Sequence, residues 1–306
     1  RRHRSGSRAR RRSGVTTIIE YVRGATTPLS GDLTPADALA LCSLIYTDFH
    51  ALVGPRSATG CILGEVARAS SIPALYRHAL PTHADRPLLD AAGASPRFRE
   101  VRVRDAVTRL VPRPLAQFGA ATFVDSSGCC LVAFRGTDAT SIGIAEDARF
   151  GLDFPTESQR WAARYLAYAS ERAEGPVTVM GHSKGGNLAL YAAAVAAPDA
   201  LERVYAFDPV GFPASVIDDG FFTSLKGRVS TYVTAGSWVS PLLPLPGPVT
   251  LVDSSWPGPL SHNPYAWATE GTALRRDQRP PSRSGAALAR LLAAILRVRP
   301  TQIGSN

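Results

Sequence analysis

The sequence predicts an α/β fold in which a mostly parallel sheet is flanked by helices. An apolar run at 177–180 leads into a glycine-bounded turn at 181–185 and then into an alanine-rich run at 187–197, which suggests a strand, a turn and a helix in succession. Apolar runs of strand length recur after it at 204–207, 229–233 and 249–252. Strands that alternate with helical stretches are typical of a parallel sheet.

The elements before that turn are less regular. Thr34, Pro35 and Asp37 predict the start of a capped helix, whose apolar face consists of Ala38, Leu41, Cys42 and Ile45. Residues 50–115 are rich in Pro, Ala and Arg. They predict either a cap over the functional site of the protein or irregular elements beside the first strands. The runs 121–124 and 129–133 predict a hairpin.

Two further helices are predicted. One covers 156–173 and the other, at 285–298, is amphipathic with Leu288, Leu291, Leu292 and Ile295 on one face. We expect that apolar face to pack on the core, and a membrane-surface anchor is the less favoured use of it.

The length and charge of the chain favour one large domain with a separate basic tail. With 306 residues, the chain is long enough for a substantial core. We expect residues 15–300 to form a single domain and residues 1–14 to form a disordered tail. Seven arginines lie in the first twelve residues, so the net charge of +9 leaves about +2 for the remainder. This distribution argues against specific nucleic-acid binding and leaves weak contact of the tail with an anionic membrane surface as the minor alternative.

No feature of the sequence predicts a membrane span, a secretory signal or a metal site. No apolar run approaches the about 20 residues that cross a bilayer, and no apolar signal core follows the basic start. The cysteines lack metal-ligand spacing and are expected to be buried thiols, although spacing does not separate a reduced from a bridged Cys42–Cys61 pair. Adjacent Cys129 and Cys130 are expected on opposite faces of their strand. We therefore expect a soluble, cytoplasmic protein without a cofactor.

The turn Gly181-His182-Ser183-Lys184-Gly185 carries the predicted chemistry. A G-x-S-x-G turn between a buried strand and a helix exposes the serine hydroxyl at the carboxyl end of the sheet. Ser183 is therefore the predicted nucleophile. The alternative is a serine-containing loop without chemistry.

A serine nucleophile needs an adjacent base that removes its proton. Hydrolases with this turn place the acid and then the histidine after the serine along the chain. His262 fits that order and is the predicted general base, with an ordinary surface histidine as the alternative. The five histidines that do not fit are His3 in the tail, the upstream His50, His78 and His83, and His182, whose side chain should diverge from that of its neighbour Ser183.

Two carboxylates are candidates for the residue that orients the histidine. Asp208 follows the run at 204–207, at the carboxyl end of the strand next after the nucleophile strand, where the active sites of open α/β sheets gather. Asp253 follows the run at 249–252 and is the alternative acid. Capping of a loop is the noncatalytic alternative for both residues.

The developing oxyanion needs two hydrogen-bond donors. The N–H of Lys184, directly after the nucleophile, is expected to be one of them. Thr137 follows the apolar run at 131–134 and offers the second, through its N–H and its hydroxyl. The alternative is that Gly136 and Asp138 only form a tight turn at this place.

These motifs resemble two related families. Phe134-Arg135-Gly136-Thr137 together with 181–186 resembles the F-R-G-[ST] and G-H-S-L-G-G pair of fungal-type (class three) triacylglycerol lipases, in which the Ser or Thr is an oxyanion residue. Over nearly its whole length the chain also resembles the Mbeg-like family, mainly bacterial α/β-hydrolases of unknown function. That likeness is carried by the segments 19–22 and 37–46, by Glu146-Asp147, by 185–189 and 208–212, and by His262 with Trp267.

The chain departs from those patterns at three places. Ile144 replaces a tryptophan that relatives carry before Glu146-Asp147, and Ser261 replaces the glutamine before the histidine. The segment 234–240, where the lipases would place their acid, has no carboxylate, which further favours Asp208 or Asp253.

The resemblance implies an α/β-hydrolase-like fold and a serine esterase. We expect a carboxylic ester hydrolase that acts on a small-molecule or lipid ester through an acyl-Ser183 intermediate, with no metal and no organic cofactor. Two alternatives remain: a catalytically silent binding module with the same fold, and an acyltransferase that uses the same acyl-enzyme.

Overall fold

The structure is a computed structural model that describes residues 15–55, 57, 59–77, 84–138, 140–147, 149–196 and 199–296. The tail expected at 1–14 lies outside these ranges, as do His3, His78 and His83.

Two β-sheets organise the described chain. In chain order the strands are β1 Val15–Thr17, β2 Cys61–Ile62, β3 Arg102–Pro112, β4 Leu115–Val124, β5 Cys130–Phe134, β6 Val177–His182, β7 Leu201–Phe207, β8 Val229–Thr234, β9 Val249–Val252, β10 Ala268–Glu270 and β11 Ala273–Leu274. The larger sheet has eight strands in the order β2 to β9, and the smaller sheet pairs β10 with β1 and β11. Neighbours from β5 to β9 are parallel, and those from β2 to β5 are antiparallel. The predicted hairpin is confirmed as β4 and β5.

Helices cover both faces of the larger sheet, which confirms the predicted fold class. They are α1 Ile18–Gly24, α2 Pro35–Leu44, α3 Leu63–Arg68, α4 Asp85–Ala94, α5 Ser141–Asp147, α6 Glu157–Glu171, α7 Lys184–Ala196, α8 Ala214–Asp218 and α9 Arg283–Leu296. Across the described ranges, no helix is both long enough and apolar enough to span a bilayer.

The capped helix expected after Thr34 is confirmed as α2. The Thr34 hydroxyl accepts the Asp37 N–H while the Asp37 carboxylate accepts the Thr34 N–H, so each residue satisfies an otherwise unpaired donor of the first turn. The expected single apolar face is too narrow, because α2 is buried all round. It lies between the sheet and the helices α1 and α4, so no side of it faces water.

The larger sheet separates two apolar cores. Cys129 belongs to the core that contains α1, α2 and α4, whereas Cys130 belongs to the core that contains α6, α7 and α9. The two neighbours therefore lie on opposite faces, as the period of two residues in a strand requires. All four thiols are free.

Residues 50–115 contribute regular elements to one edge of the larger sheet. They include β2 and β3, which pair with each other, and α3 and α4, which pack together. The helix α3 also packs against β2. None of the described residues in this segment lines the cavity beside Ser183.

The helix α9 corrects one expectation about packing. Ala289 and Ala293, with Gly285 one turn earlier, form the buried face, whereas Leu291 is 59% exposed and Ile295 is 66% exposed. A side chain at Gly285 would overlap the backbone oxygens of Gly236 and Ser237, so the helix approaches that loop too closely for large residues. Small residues therefore make the contact, and the leucine face is left partly open.

Candidate active site

Ser183 lies in the sharp turn between β6 and α7. Its φ is +57°, in the left-handed region that non-glycine residues rarely adopt, and its N–H donates to Phe207 O on β7. The flanking glycines have no room for a side chain, because a Cβ at Gly181 would overlap Gly185 O and a Cβ at Gly185 would overlap Phe134 O. The local backbone therefore places the serine hydroxyl at the carboxyl end of the sheet, as the sequence predicts.

The structure brings Ser183, His262 and Asp208 into one hydrogen-bonded series. Ser183 Oγ lies 3.1 Å from His262 Nε2, and His262 Nδ1 lies 2.7 Å from Asp208 Oδ2. An ionised carboxylate only accepts hydrogen bonds, so Nδ1 carries the ring proton and Nε2 is left as the acceptor for the serine hydroxyl. The arrangement matches that of a serine nucleophile, its base and an orienting acid.

Two serines that no sequence motif marks hold Asp208 in place. The hydroxyls of Ser237 and Ser240 donate to Asp208 Oδ1 at 2.5 and 2.7 Å, and leave Oδ2 to His262. Both serines lie in the segment after β8. From the sequence, this segment stands out only because it has no carboxylate. The carboxylate is fully buried, so these donors compensate for part of its lost hydration.

Asp253, the alternative acid, pairs with two arginines, and His262 Nδ1 pairs with Asp208. The two carboxylate oxygens of Asp253 face Arg279 Nη2 at 2.5 Å and Arg275 Nη1 at 3.4 Å. These two ion pairs link the end of β9 to the segment that follows β11.

His182 hydrogen-bonds to the backbone of His262 and to Tyr46. Its Nε2 lies 2.8 Å from His262 O, and its Nδ1 lies 3.1 Å from the Tyr46 hydroxyl. Because a carbonyl only accepts, Nε2 donates and Nδ1 accepts from Tyr46. Burial, with His262 close by, lowers the pKa of His182 to about 3, so this ring stays neutral. The sequence shows that His182 is next to Ser183, but it gives no sign of the contact between His182 and His262.

The two residues expected to stabilise an oxyanion both lie beside Ser183. The Lys184 N–H is at the first residue of α7, where the helix dipole favours negative charge. Within the described part of the chain, neither the Lys184 N–H nor the Thr137 N–H donates to another group. The Thr137 hydroxyl, in contrast, donates to Asp147 Oδ2 at 2.6 Å, so its single proton is already engaged.

Asp147 is a second carboxylate at the site. Burial raises its pKa to about 6, and the nearby Lys184 ammonium and the Thr137 hydroxyl oppose that shift. Its Oδ1 is buried and has no hydrogen-bond partner among the described residues.

A cavity of about 880 Å³ opens next to Ser183. Its wall is mainly apolar and includes Ile144, Val210, Trp238, Val239, Leu242, Leu260 and Leu292. Among the described residues, no group of three His, Cys, Asp or Glu side chains is arranged to hold a metal ion. The shape and lining suit an apolar group placed against the serine hydroxyl.

Comparison with known proteins gives a family match and several structural likenesses. The family model described as Mbeg1-like matches residues 92–296. No curated protein matches the chain. Solved structures with similarity include Lip2 lipase from Yarrowia lipolytica, at 12% identity and a TM-score of 0.44 over 89% of this chain and 94% of that one. A second is a mutant form of MDLA from Penicillium cyclopium, at 13% identity and a TM-score of 0.44 over 86% of this chain and 83% of that one.

Proposed function

The chain belongs to the Mbeg1-like family. We propose that it is a serine hydrolase that cleaves a carboxylic ester through an acyl-Ser183 intermediate. The observation that supports this proposal is the series of hydrogen bonds from Ser183 Oγ through His262 to the buried Asp208. Such a series lets a weak nucleophile lose its proton as it attacks.

In the proposed first half-reaction, His262 Nε2 accepts the proton of Ser183 as Oγ bonds to the ester carbonyl carbon. The carbonyl oxygen becomes an oxyanion, and the N–H groups of Thr137 and Lys184 are the proposed donors to it. Collapse breaks the bond to the alcohol oxygen, which takes the proton from His262 and leaves acyl-Ser183.

In the second half-reaction, water replaces the alcohol. His262 removes a proton from water as the water oxygen attacks the acyl carbon, and then returns a proton to Ser183 Oγ as the carboxylic acid leaves. Asp208 keeps the imidazole in the required tautomer and stabilises the imidazolium in both steps. No proton or electron is left unbalanced, so this route needs no cofactor.

The apolar cavity supports an apolar acyl group as the part of the substrate that binds. Each methylene buried from water contributes about 0.8 kcal/mol, which makes chain length a direct probe of the cavity. We expect kcat/KM to rise along a series of 4-nitrophenyl esters from acetate to octanoate. The Ser183→Ala variant should have lost turnover of every ester.

The experiment compares the parent with Ser183→Ala, both shown to be folded by their thermal unfolding. Turnover that persists in Ser183→Ala would place the reaction elsewhere. A folded parent that hydrolyses no ester of the series would contradict the proposed ester hydrolysis.

A further inference from the structure

The side chain of Lys184 is not part of the wall of the cavity beside Ser183. It is fully buried, in the residue directly after the nucleophile. Its Nζ donates to Gln117 O at 2.8 Å, to Gln117 Oε1, and to Glu146 Oε2 at 3.1 Å. An ammonium carries three protons, so each of them has an acceptor.

Glu146 is as deeply buried as the lysine with which it pairs. Its Oε2 also accepts the Gln117 N–H at 2.8 Å, and its Oε1 accepts the Ser158 hydroxyl. The cluster of Lys184, Glu146 and Gln117, called here the lysine cluster, therefore joins the start of α7, the end of α5 and the start of β4.

Two routes lead from the lysine cluster to the turn that carries Thr137. Along the first, Glu146 is followed in α5 by Asp147, whose Oδ2 accepts the Thr137 hydroxyl at 2.6 Å. Along the second, Gln117 Nε2 donates to Gly136 O at 3.4 Å. One partner of the ammonium, Gln117, therefore contacts the segment that presents the Thr137 N–H, and the other, Glu146, is joined to it through the neighbouring Asp147.

We propose that the Lys184 side chain is a positioning residue that fixes the Thr137 N–H relative to the Lys184 N–H, and so sets the geometry of the oxyanion site. The inference rests on the proposed function and deepens it. Lys184 then contributes through both of its ends, since the backbone donates to the oxyanion and the ammonium holds the second donor in place. Donors of this kind act only when they lie within a few tenths of an ångström of the oxyanion position.

The energetics of buried ion pairs support this assignment over a role in stability alone. Two charges lose their hydration when they are buried, and replacing such a pair with apolar residues of similar volume is often neutral or stabilising. Loss of the two charges of Lys184 and Glu146 would thus by itself cost the core little. Three directed hydrogen bonds from one ammonium fix the distances between α7, α5 and β4, which an apolar contact does not do.

The test uses the double variant Lys184→Met, Glu146→Gln, because removal of the lysine alone would leave a buried unpaired carboxylate. We expect kcat to fall by about 10- to 100-fold with KM within threefold of the parent, since the lost alignment matters only when the oxyanion forms. The matched control is Arg97→Met, Asp37→Asn, which removes a buried ion pair whose other hydrogen bonds go to Thr27, Asp32, Thr34 and Tyr21. The control should keep the parent kcat.

A second readout separates positioning from general loss of structure. Ser183 Oγ attacks the carbonyl carbon of a trifluoromethyl ketone with an octyl chain, and the carbonyl oxygen becomes an oxyanion. The matching methyl ether fills the cavity but forms no oxyanion. In the double variant the inhibition constant of the ketone should rise by the same factor as kcat falls. The inhibition constant of the ether should stay within threefold.

Three results would overturn the inference while the parent remains an active esterase. They are a kcat within threefold of the parent in the folded double variant, equal losses of ketone and ether affinity, and an equal loss of kcat in the control. If the double variant fails to fold, Gln117→Met supplies a second test, since it removes one acceptor of the Lys184 ammonium and the donor to Gly136 O but keeps Lys184 paired with Glu146. It should lower kcat and ketone affinity together, and unchanged values would equally reject the inference. Absence of turnover in the parent would instead reject the proposed function.

Discussion

Asp208 Oδ2 lies 2.7 Å from His262 Nδ1, although 54 residues separate the two along the chain. Asp208 has a φ of +43° directly after β7, and His262 ends a short 3-10 helix at Gly258–His262. The two loops meet because both project from the carboxyl edge of the parallel strands, beside the turn that holds Ser183.

If Ser183 and His262 act as one unit, then Ser183→Ala and His262→Ala should each remove nearly all ester turnover. The double variant should be little slower than either single variant, because loss of one member already disables the other. Steady-state kcat/KM for the three variants measures this. Losses that multiply would show that the two residues act independently.

The choice between the two acids is open to a direct comparison. Asp208→Asn should lower kcat by up to about 10⁴-fold, because an amide at this position favours the wrong imidazole tautomer. Asp253→Asn should leave kcat within a few-fold of the parent and lower only the thermal midpoint, since Asp253 pairs with Arg275 and Arg279. The reverse order would assign the acid to Asp253.

The contact between Thr137 and Asp147 defines what the threonine hydroxyl contributes. Because its proton goes to Asp147, we expect Thr137→Val to lower kcat by about tenfold or more with little change in KM, through a displaced N–H. Thr137→Ser should restore most of the activity. Asp147→Leu, which removes the acceptor of the Thr137 hydroxyl, should cause a similar loss, and Thr137→Val combined with Asp147→Leu should be no worse than either. A fully active Asp147→Leu beside an inactive Thr137→Val would instead make the hydroxyl a direct oxyanion donor.

His182 predicts a pH dependence of stability. Its pKa is lowered to about 3 in the folded protein, while an unfolded histidine has a pKa near 6.5. Between these values the unfolded state binds the extra proton, so stability is present above pH 6.5 and is lost as the pH falls. The limiting slope is about 1.4 kcal/mol per pH unit.

Urea unfolding of the parent and of His182→Gln between pH 7.5 and 4.5 measures this contribution. The parent should lose stability on acidification faster than the variant does. If the free energies of unfolding of the two proteins change in parallel over this pH range, His182 is not the source of the pH dependence.

The close approach of α9 to the loop at Gly236 predicts opposite sensitivities on its two faces. Ala289→Leu should destabilise the protein by about 1–3 kcal/mol, because the buried face has no space for the larger side chain. Leu291→Ser should change the free energy of unfolding by less than about 0.5 kcal/mol. Denaturant unfolding of both variants measures these changes in the free energy of unfolding. A large effect of Leu291→Ser would show that the leucine face, and not the alanine face, is the buried one.

The sequence was sufficient to predict the strands around the nucleophile and to select three side chains that the structure brings together. Ser183, Asp208 and His262 follow from chain order and from the positions of strand ends, which are local features. The alternative Asp253 could not be separated from Asp208 in this way, because both residues follow strand-length apolar runs.

Features that depend on distant contacts could not be predicted. The leucine face of α9 has the stronger apolar pattern, yet the glycine and alanine face packs because the neighbouring backbone lies so close. The spacing of apolar residues shows which side chains share a face of the helix. It does not show which face packs against the rest of the protein. The burial of Lys184 likewise depends on Glu146, 38 residues away, and the support of Asp208 depends on Ser237, 29 residues away.

The central claim, that Ser183 is an activated nucleophile, is tested most directly by reaction with a fluorophosphonate followed by peptide mass spectrometry. We expect a single phosphonyl adduct on the peptide that contains Ser183, no adduct in Ser183→Ala, and much slower labelling in His262→Ala. A folded protein that forms no adduct, or that forms one on a different residue, would contradict this claim.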